Sequence, residues 1–355
     1  MPSPHSPIAP HTSKAELQNS LSKNNQVSCM KLQYTLETFD SLSSEWTKLQ
    51  EESPTVPIFS SLDWSSTWWQ HFNPAAKLHL ATIKNQGNVI GIAPLMVKKN
   101  VASFVGGIDV CDYLDFVVSS ENAEAFFQIL LDNLRKEGVR KLSLAPLRPD
   151  STAIATMPTV ARQLGWQVAC SQIDVTVELD LPGTWEEYLQ LLVSKQRHEL
   201  KRKLRRLEEE GEITYRTAAE ASPQDIDIFL KLFRESREDK AEFMMPARES
   251  FFRAIAKTMA KRKTFRLGLL EVDSKPAAAT IAFEYKNNVY LYNSGYDPQY
   301  AWLSVGVLSK ALSIKDSIER GKRRYDFLKG DEQYKYHLGG HELPIYQCYL
   351  TYGGK

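Results

Sequence analysis

The sequence predicts a mixed α/β protein, an α+β unit with a mixed sheet used twice in tandem, and three observations carry that expectation. Alternating apolar runs are interleaved with runs of helical spacing along the chain. One order of elements (strand, two helices, strand hairpin, further strand, helix, strand) occurs before residue 181 and again after it. At 355 residues the chain also exceeds what one core usually serves. The expected organisation is a tail over 1–29, an N-terminal lobe over 30–181 and a C-terminal lobe over 182–355, joined near Leu181-Pro182-Gly183.

In chain order, residues 1–29 are rich in Ser, Pro, Asn and Lys, have no apolar block like that of a signal peptide, and read as a disordered tail. Residues 32–39 alternate as a strand, 41–52 and 62–72 have helical spacing, and 78–84 with 89–97 form a hairpin around Gln86-Gly87-Asn88. Short strands at 101–105 and 113–118 flank Gly106-Gly107. An amphipathic helix over 122–137 stops at Gly138, which suits a left-handed cap. A strand at 141–146, a helix at 151–164 ended by Gly165 and a strand or strand pair at 166–179 complete the first unit.

The second unit opens with Thr184 and Glu187 at capping-box spacing, followed by one long helix that runs to Gly211. A strand at 212–217, helices from Ser222 to Arg237 and over 247–262, and a hairpin of 265–272 with 276–285 come next. A last strand spans 345–352. Before it lies the stretch that organises the chain, VYLYNSGYDPQYAWLSVGVLSKALSIKDSIERGKRRYDFLKGDEQYK (289–335). It reads as strand, loop, helix, glycine stop at Gly321, strand and polar tail. Ser304-Val305-Gly306 marks the helix start, where free backbone N–H groups and the positive dipole end favour an anion.

The formal net charge of +1 argues against nucleic acid or an anionic membrane as a whole-surface partner. No apolar run reaches the length of a spanning helix. Cys29, Cys111, Cys170 and Cys348 lack the spacing of a zinc site or a disulfide framework. They are expected to be unpaired, as in a reducing cytoplasm, and no metal is expected.

Several segments together resemble a known family: SKQRHELKRKLRRLEEEG (194–211), LLEVDSKPAAATIAFEY, YLYNSGYDPQYAWLSVG and GKRRYDFLKGDEQYK, with IFSSLDWSSTWWQHF, GIAPLMV and DYLDFVV in the first half. Their order is similar to that of the GNAT acyltransferases, and two copies in one chain resemble the FemAB-like branch, with a closer likeness to CelD/BcsL-type acetyltransferases of cellulose and exopolysaccharide biosynthesis. The resemblance covers roughly residues 31–355. It implies two tandem GNAT-like lobes, a CoA thioester such as acetyl-CoA as co-substrate, and a small-molecule amine as acceptor, such as a nucleotide- or lipid-linked amino sugar. The loop AWLSVG departs from the pyrophosphate-binding pattern Q/R-x-x-G-x-G/A of typical GNAT enzymes and keeps only Ser304 and Gly306. Some FemAB-like members use aminoacyl-tRNA instead, and a non-catalytic partner in polysaccharide export is the third alternative.

Acyl transfer to an amine needs a proton acceptor, donors for the oxyanion, a proton or positive charge for the leaving group, and alignment. By resemblance to a family "YK" position, Lys335 is the first catalytic candidate, with Tyr334 as general acid and Asp326 as base or orienting carboxylate. Tyr292, Ser294, Gly295, Ser304 and Gly306 are the expected donor-binding residues, with Gly295 permitting a splayed strand. Arg197, Asp112, Asp115 and Tyr296 are the expected acceptor contacts. The other basic residues around Arg197 read as the solvated face of a helix, and Trp64, Trp68 and Trp69 as core.

Overall fold

The computed structural model describes residues 32–353 apart from 73 and 221. The expected tail and Cys29 lie outside the described residues. The first unit comprises β1 (Leu32–Glu37), α1 (Ser43–Glu52), α2 (Leu62–Phe72), β2 (Lys77–Asn85), β3 (Asn88–Lys98), β4 (Val101–Phe104), β5 (Val117–Val118), α3 (Ser120–Lys136), β6 (Lys141–Leu147), α4 (Thr152–Ala155), α5 (Met157–Gln163) and β7 (Gln167–Asp180). The second comprises α6 (Trp185–Leu191), α7 (Ser194–Glu209), β8 (Ile213–Ala218), α8 (Pro223–Ser236), α9 (Glu238–Phe243), α10 (Pro246–Lys261), β9 (Phe265–Val272), β10 (Lys275–Tyr285), β11 (Asn288–Tyr296), α11 (Val305–Glu319), β12 (Arg324–Lys329), α12 (Gln333–His337) and β13 (His341–Thr351).

The two units share one sheet, in the order β1-β2-β3-β4-β6-β13-β7-β12-β11-β10-β9-β8. That order is symmetric about the β13–β7 pair, except that each unit's last strand has changed sides. Strand β7 pairs with β12 of the second unit, and β13 pairs with β6 of the first. Cores are shared as well. Trp64 of α2 packs its ring against Phe251 of α10, Phe283 of β10 and Tyr292 of β11 at centroid distances of 5.2–5.9 Å. Trp64 and Trp68 are buried, as expected of core residues.

Local chemistry explains most boundaries. The Gln86-Gly87 and Asp273-Ser274 turns adopt positive φ, the backbone that tight hairpins need. Thr184 and Glu187 form the full capping box of α6, and Gly321 closes α11 at φ +69°. Three expectations fail. The long helix after Thr184 breaks at Leu192-Val193, both extended, because the Leu192 side chain turns into the core. The helix over 151–164 is two short pieces interrupted at Thr156, with Pro158 at the start of the second. Of the strand expected over 113–118, only Val117–Val118 pairs.

The cysteine expectation also fails: Cys170 and Cys348 lie opposite each other in the β7–β13 register and form a disulfide across 178 residues of sequence. Spacing along the chain cannot reveal a pair made by strand exchange. Cys111 is free and buried. Among the described residues no helix is long and apolar enough to cross a membrane.

Each unit contains one parallel strand pair that parts after three residues. Val101–Ser103 of β4 pair with Lys141–Ser143 of β6, and Asn288–Tyr290 of β11 pair with Arg324–Asp326 of β12. In the first unit the wedge is filled by residues 110–116. The Leu114 N–H donates to the Pro146 carbonyl at 2.8 Å, and Tyr113, Leu114 and Phe116 are buried. In the second unit the chain turns away at Asp297-Pro298 and the wedge opens into a cleft.

Candidate active site

The cleft follows from the way β11 is built. Ile281 faces Asn293 and Ala282 faces Leu291, so Tyr292 is the extra residue of a bulge, which bends the strand where β12 leaves it. Gly295 then meets α8: a Cβ there would lie 2.3 Å from the Phe233 backbone nitrogen. Glycine is thus required for the crossing of helix on strand.

The resulting cavity, about 340 Å³, is lined by β11 (Leu291, Tyr292, Asn293, Ser294), β12 (Phe327, Leu328, Lys329), α9 (Asp239, Lys240) and α12 (Tyr334, Lys335), with Asp109 and Asp112 from the first unit and Glu332 at its rim. Asp112 reaches it because the segment that fills the first wedge continues along the second. Its carboxylate accepts the Lys329 N–H at 3.2 Å, and the Lys329 ammonium donates to the Ile108 carbonyl at 3.0 Å. Burial raises the Asp112 pKa above the usual carboxylate range, against the pull of Lys329. Asp112 is therefore a better proton acceptor than a surface aspartate. Lys240 donates to the Ser294 carbonyl at 2.6 Å, and burial lowers its pKa to about 8.

A second cavity, about 500 Å³, lies beside the start of α11. Lys195, His198, Arg202, Lys203 and His337 line it with Leu200, Val307 and Leu338; its carboxylate, Glu199, is already bound by Arg202 at 2.8 Å. Such a basic groove at a helix start suits phosphate groups. Among the lining residues, Tyr334 is common to both cavities. Its hydroxyl makes no hydrogen bond among the described residues. Burial, then Glu332, raises its pKa, so the phenol is protonated at neutral pH and free to give its proton to a ligand.

Lys335 is 1% exposed, and its ammonium donates to the carbonyls of Leu328, Lys329 and Gly330 at 2.8–3.0 Å, with the Glu332 carboxylate at 2.8 Å. Those acceptors use all the protons an ammonium has. This lysine fixes the turn after β12 that forms one wall of the cleft.

The cleft thus gathers Asp112, Tyr292, Ser294, Tyr334 and Lys335 of the expected residues. Tyr292 is chiefly wall, since its hydroxyl donates to the Val110 carbonyl at 3.1 Å and its ring sits in the shared core. The others lie elsewhere. Asp115 is buried and accepts from the N–H groups of Thr152, Ala153 and Phe116 and from the Thr152 hydroxyl; it holds the start of α4 and faces no acceptor. Asp326 faces a separate, polar cavity with Arg148, Glu178 and Arg324, where it accepts the Tyr113 hydroxyl at 2.9 Å and the Leu328 N–H at 2.8 Å. Burial and the neighbouring Glu178 raise its pKa to about 7. Arg197 is on α7 but lines neither cavity.

Ser304 precedes α11 at φ +60° without a side-chain cap bond. Gly306 packs under Tyr296, where a Cβ would stand 2.9 Å from the ring, so these two residues shape the α11 approach and line neither cavity. Sequence reasoning missed Lys240, Asn293 and Glu332 as lining residues and took Lys195, His198, Arg202 and Lys203 for a solvated face. Only the tertiary position of α9 and α7 reveals Lys240 and the four basic residues.

A doubled α+β unit with a splayed parallel pair, a bulged strand and a helix start beside the gap is a tandem GNAT-like fold. Residues 194–336 match the family model described as an acetyltransferase (GNAT) domain. Its structure is similar to that of FemX, with a TM-score of 0.64 at 12% identity over 89% of this chain and 96% of that one. It is also similar to the C-terminal DUF2156 domain of an Agrobacterium fabrum protein assigned as a lysylphosphatidylglycerol synthetase (TM-score 0.55, 11% identity, 89% and 93% coverage). L-PGS from Bacillus licheniformis is a further structural neighbour (TM-score 0.53, 10% identity, 86% and 90% coverage). At these identities the likeness concerns the fold. No curated protein matches the sequence.

Proposed function

We propose that the chain is an N-acyltransferase that moves an acyl group, acetyl in the simplest case, from a CoA thioester to the amine of an amino sugar or a related cell-envelope or exopolysaccharide precursor, as in CelD-type proteins. The observation that carries this reading is the pair of cavities meeting at Tyr334, one basic and beside a helix start, the other lined by the unpaired edge of β11. The 182–355 lobe holds the donor: its phosphates lie among Arg202, Lys203 and His337, and its thioester runs along β11 past Ser294. The 30–181 lobe supplies Asp112 to the acceptor side. Asp112, directly or through a water, takes the proton of the attacking amine, and Tyr334 protonates the departing thiolate. Backbone N–H groups freed by the β11 splay receive the oxyanion. Lys335 acts by holding the β12 turn. A CoA thioester donor implies a cytoplasmic setting, which rests on the donor alone now that two of the cysteines are paired.

Calorimetry with acetyl-CoA tests the reading: saturable binding is expected, and none at millimolar ligand overturns it. A second reading, an aminoacyl-tRNA donor, is favoured by the exposed Lys201 and Arg205, which extend the positive face of α7 beyond the groove. It predicts activity that ribonuclease abolishes. Saturable donor binding without turnover on any amine would support the non-catalytic alternative.

A further inference from the structure

Lys310 of α11 is the one lysine of that helix that points inward: it is 7% exposed, between the core residues Leu308 and Ala311. Its ammonium donates to the Gly306 carbonyl one turn back at 2.6 Å and stands 4.8 Å from the centroid of the Tyr334 ring. No carboxylate lies within ion-pair distance among the described residues. The charged groups that face it are Lys240 from α9, Glu332 from the turn before α12 and Lys335 from α12, two cations against one anion. A buried cation held in such company is costly for folding alone, and the groups that hold it are the backbone of α11 and the ring shared by both cavities.

We propose that Lys310 is a positioning residue for acyl transfer: its cation, anchored by the Gly306 carbonyl, seats the Tyr334 ring between donor and acceptor cavities and stabilises the phenolate left when that tyrosine gives up its proton. The inference rests on the acyltransferase reading. In the step, the amine nitrogen bonds to the thioester carbon and the carbon–sulfur bond breaks with its electron pair on sulfur. The sulfur takes the Tyr334 proton, and the proton lost by the amine returns through Asp112 or solvent to the phenolate. For the short life of that phenolate, the Lys310 charge faces it across the ring. Burial lowers the Lys310 pKa to about 7, helped by Lys240 and Lys335, so the charge is present below neutrality and lost above it.

The test measures thiol release from acetyl-CoA with glucosamine as amine across pH, for wild type, Lys310→Met, Lys310→Arg and a Tyr334→Phe background. Wild type should lose kcat as pH rises through about 7. Lys310→Met should keep acetyl-CoA affinity within about threefold, lower kcat about tenfold at slightly acidic pH and lack that descending limb. Lys310→Arg should restore kcat and stay active to higher pH. In the Tyr334→Phe background, Lys310→Met should change nothing further. A Lys310→Met enzyme with wild-type kcat and pH profile, or one equally impaired with and without Tyr334, overturns the proposal.

A second readout does not need turnover. In protein carrying 13Cε-labelled lysine, a ring-shifted signal that disappears in Lys310→Met and moves in Tyr334→Leu supports the contact, and its absence overturns it. A wild type that neither binds nor turns over acetyl-CoA removes the acyl-transfer step itself, while the labelled signal still decides the pairing.

Discussion

In the first lobe β4 and β6 part after Ser103 and Ser143, and the chain's own residues 110–116 fill the wedge; in the second, β11 and β12 part after Tyr290 and Asp326, and the wedge stays open. The divergence of strands is the same, so the strands do not decide which gap becomes a site. The connection does. Gly106, at φ +137°, and Gly107 turn the first chain back under its own sheet, where Leu114 docks on Pro146. Asp297-Pro298 sends the second chain outward into a short 3-10 turn and α11. One segment therefore closes the first gap and, through Asp112, equips the second.

The comparison breaks most severely if the open wedge lacks its acid. Tyr334→Phe should lower kcat by about 10²- to 10⁴-fold with acetyl-CoA affinity nearly unchanged, as read from thiol-release kinetics and calorimetry. Next in size, Leu114→Ala removes a buried side chain from the closed wedge and should cost about 2–5 kcal/mol in denaturant unfolding, far more than any effect on donor affinity. Charge reversal of the groove, Arg202→Glu with Lys203→Glu, should weaken acetyl-CoA binding about tenfold or more, with the loss largest at low salt.

Smaller again is the pH effect of Asp326. Its pKa of about 7 in the folded chain lies above the unfolded value of about 3.9, so the folded state binds the extra proton in between. Its contribution to stability accordingly falls as pH rises from about 4 through 7. Asp326→Asn should flatten that slope when unfolding is measured at both ends of the window. The smallest effect is expected at Arg205, an exposed partner of Glu209 at 3.7 Å: alanine there should change stability by no more than about 0.5 kcal/mol.

Much of this architecture was legible in the sequence because it is local. Hairpin turns, the capping box at Thr184 and the glycine stop at Gly321 are set by neighbours a few residues apart, and their repetition gave away the doubled unit. What was illegible depends on strand exchange and on close approach. Residues 113–118 look like a strand in hydrophobicity, yet only Val117 and Val118 pair and 113–116 belong to the plug. Asp112 and Asp115 stand three residues apart with similar surroundings in sequence, and one faces the cleft while the other holds α4. Tyr334 could be named from its motif, whereas Lys310 and Lys240 could not. A lysine in a helical run reads as solvated until the fold buries it.

The exchange of β7 and β13 has a consequence for how the molecule is made. A chain synthesised as far as residue 181 holds most of the first unit's residues, but the partner of β6 is translated only after the other strands of the second unit. Until then the edge of β6 is unpaired and β7 lacks both of its neighbours. The first half therefore cannot reach its final state during synthesis ahead of the second, and cutting the gene at the apparent boundary should yield two fragments that each miss a strand. Mixed together, those fragments are expected to recover the fold only when β7 and β13 can find each other.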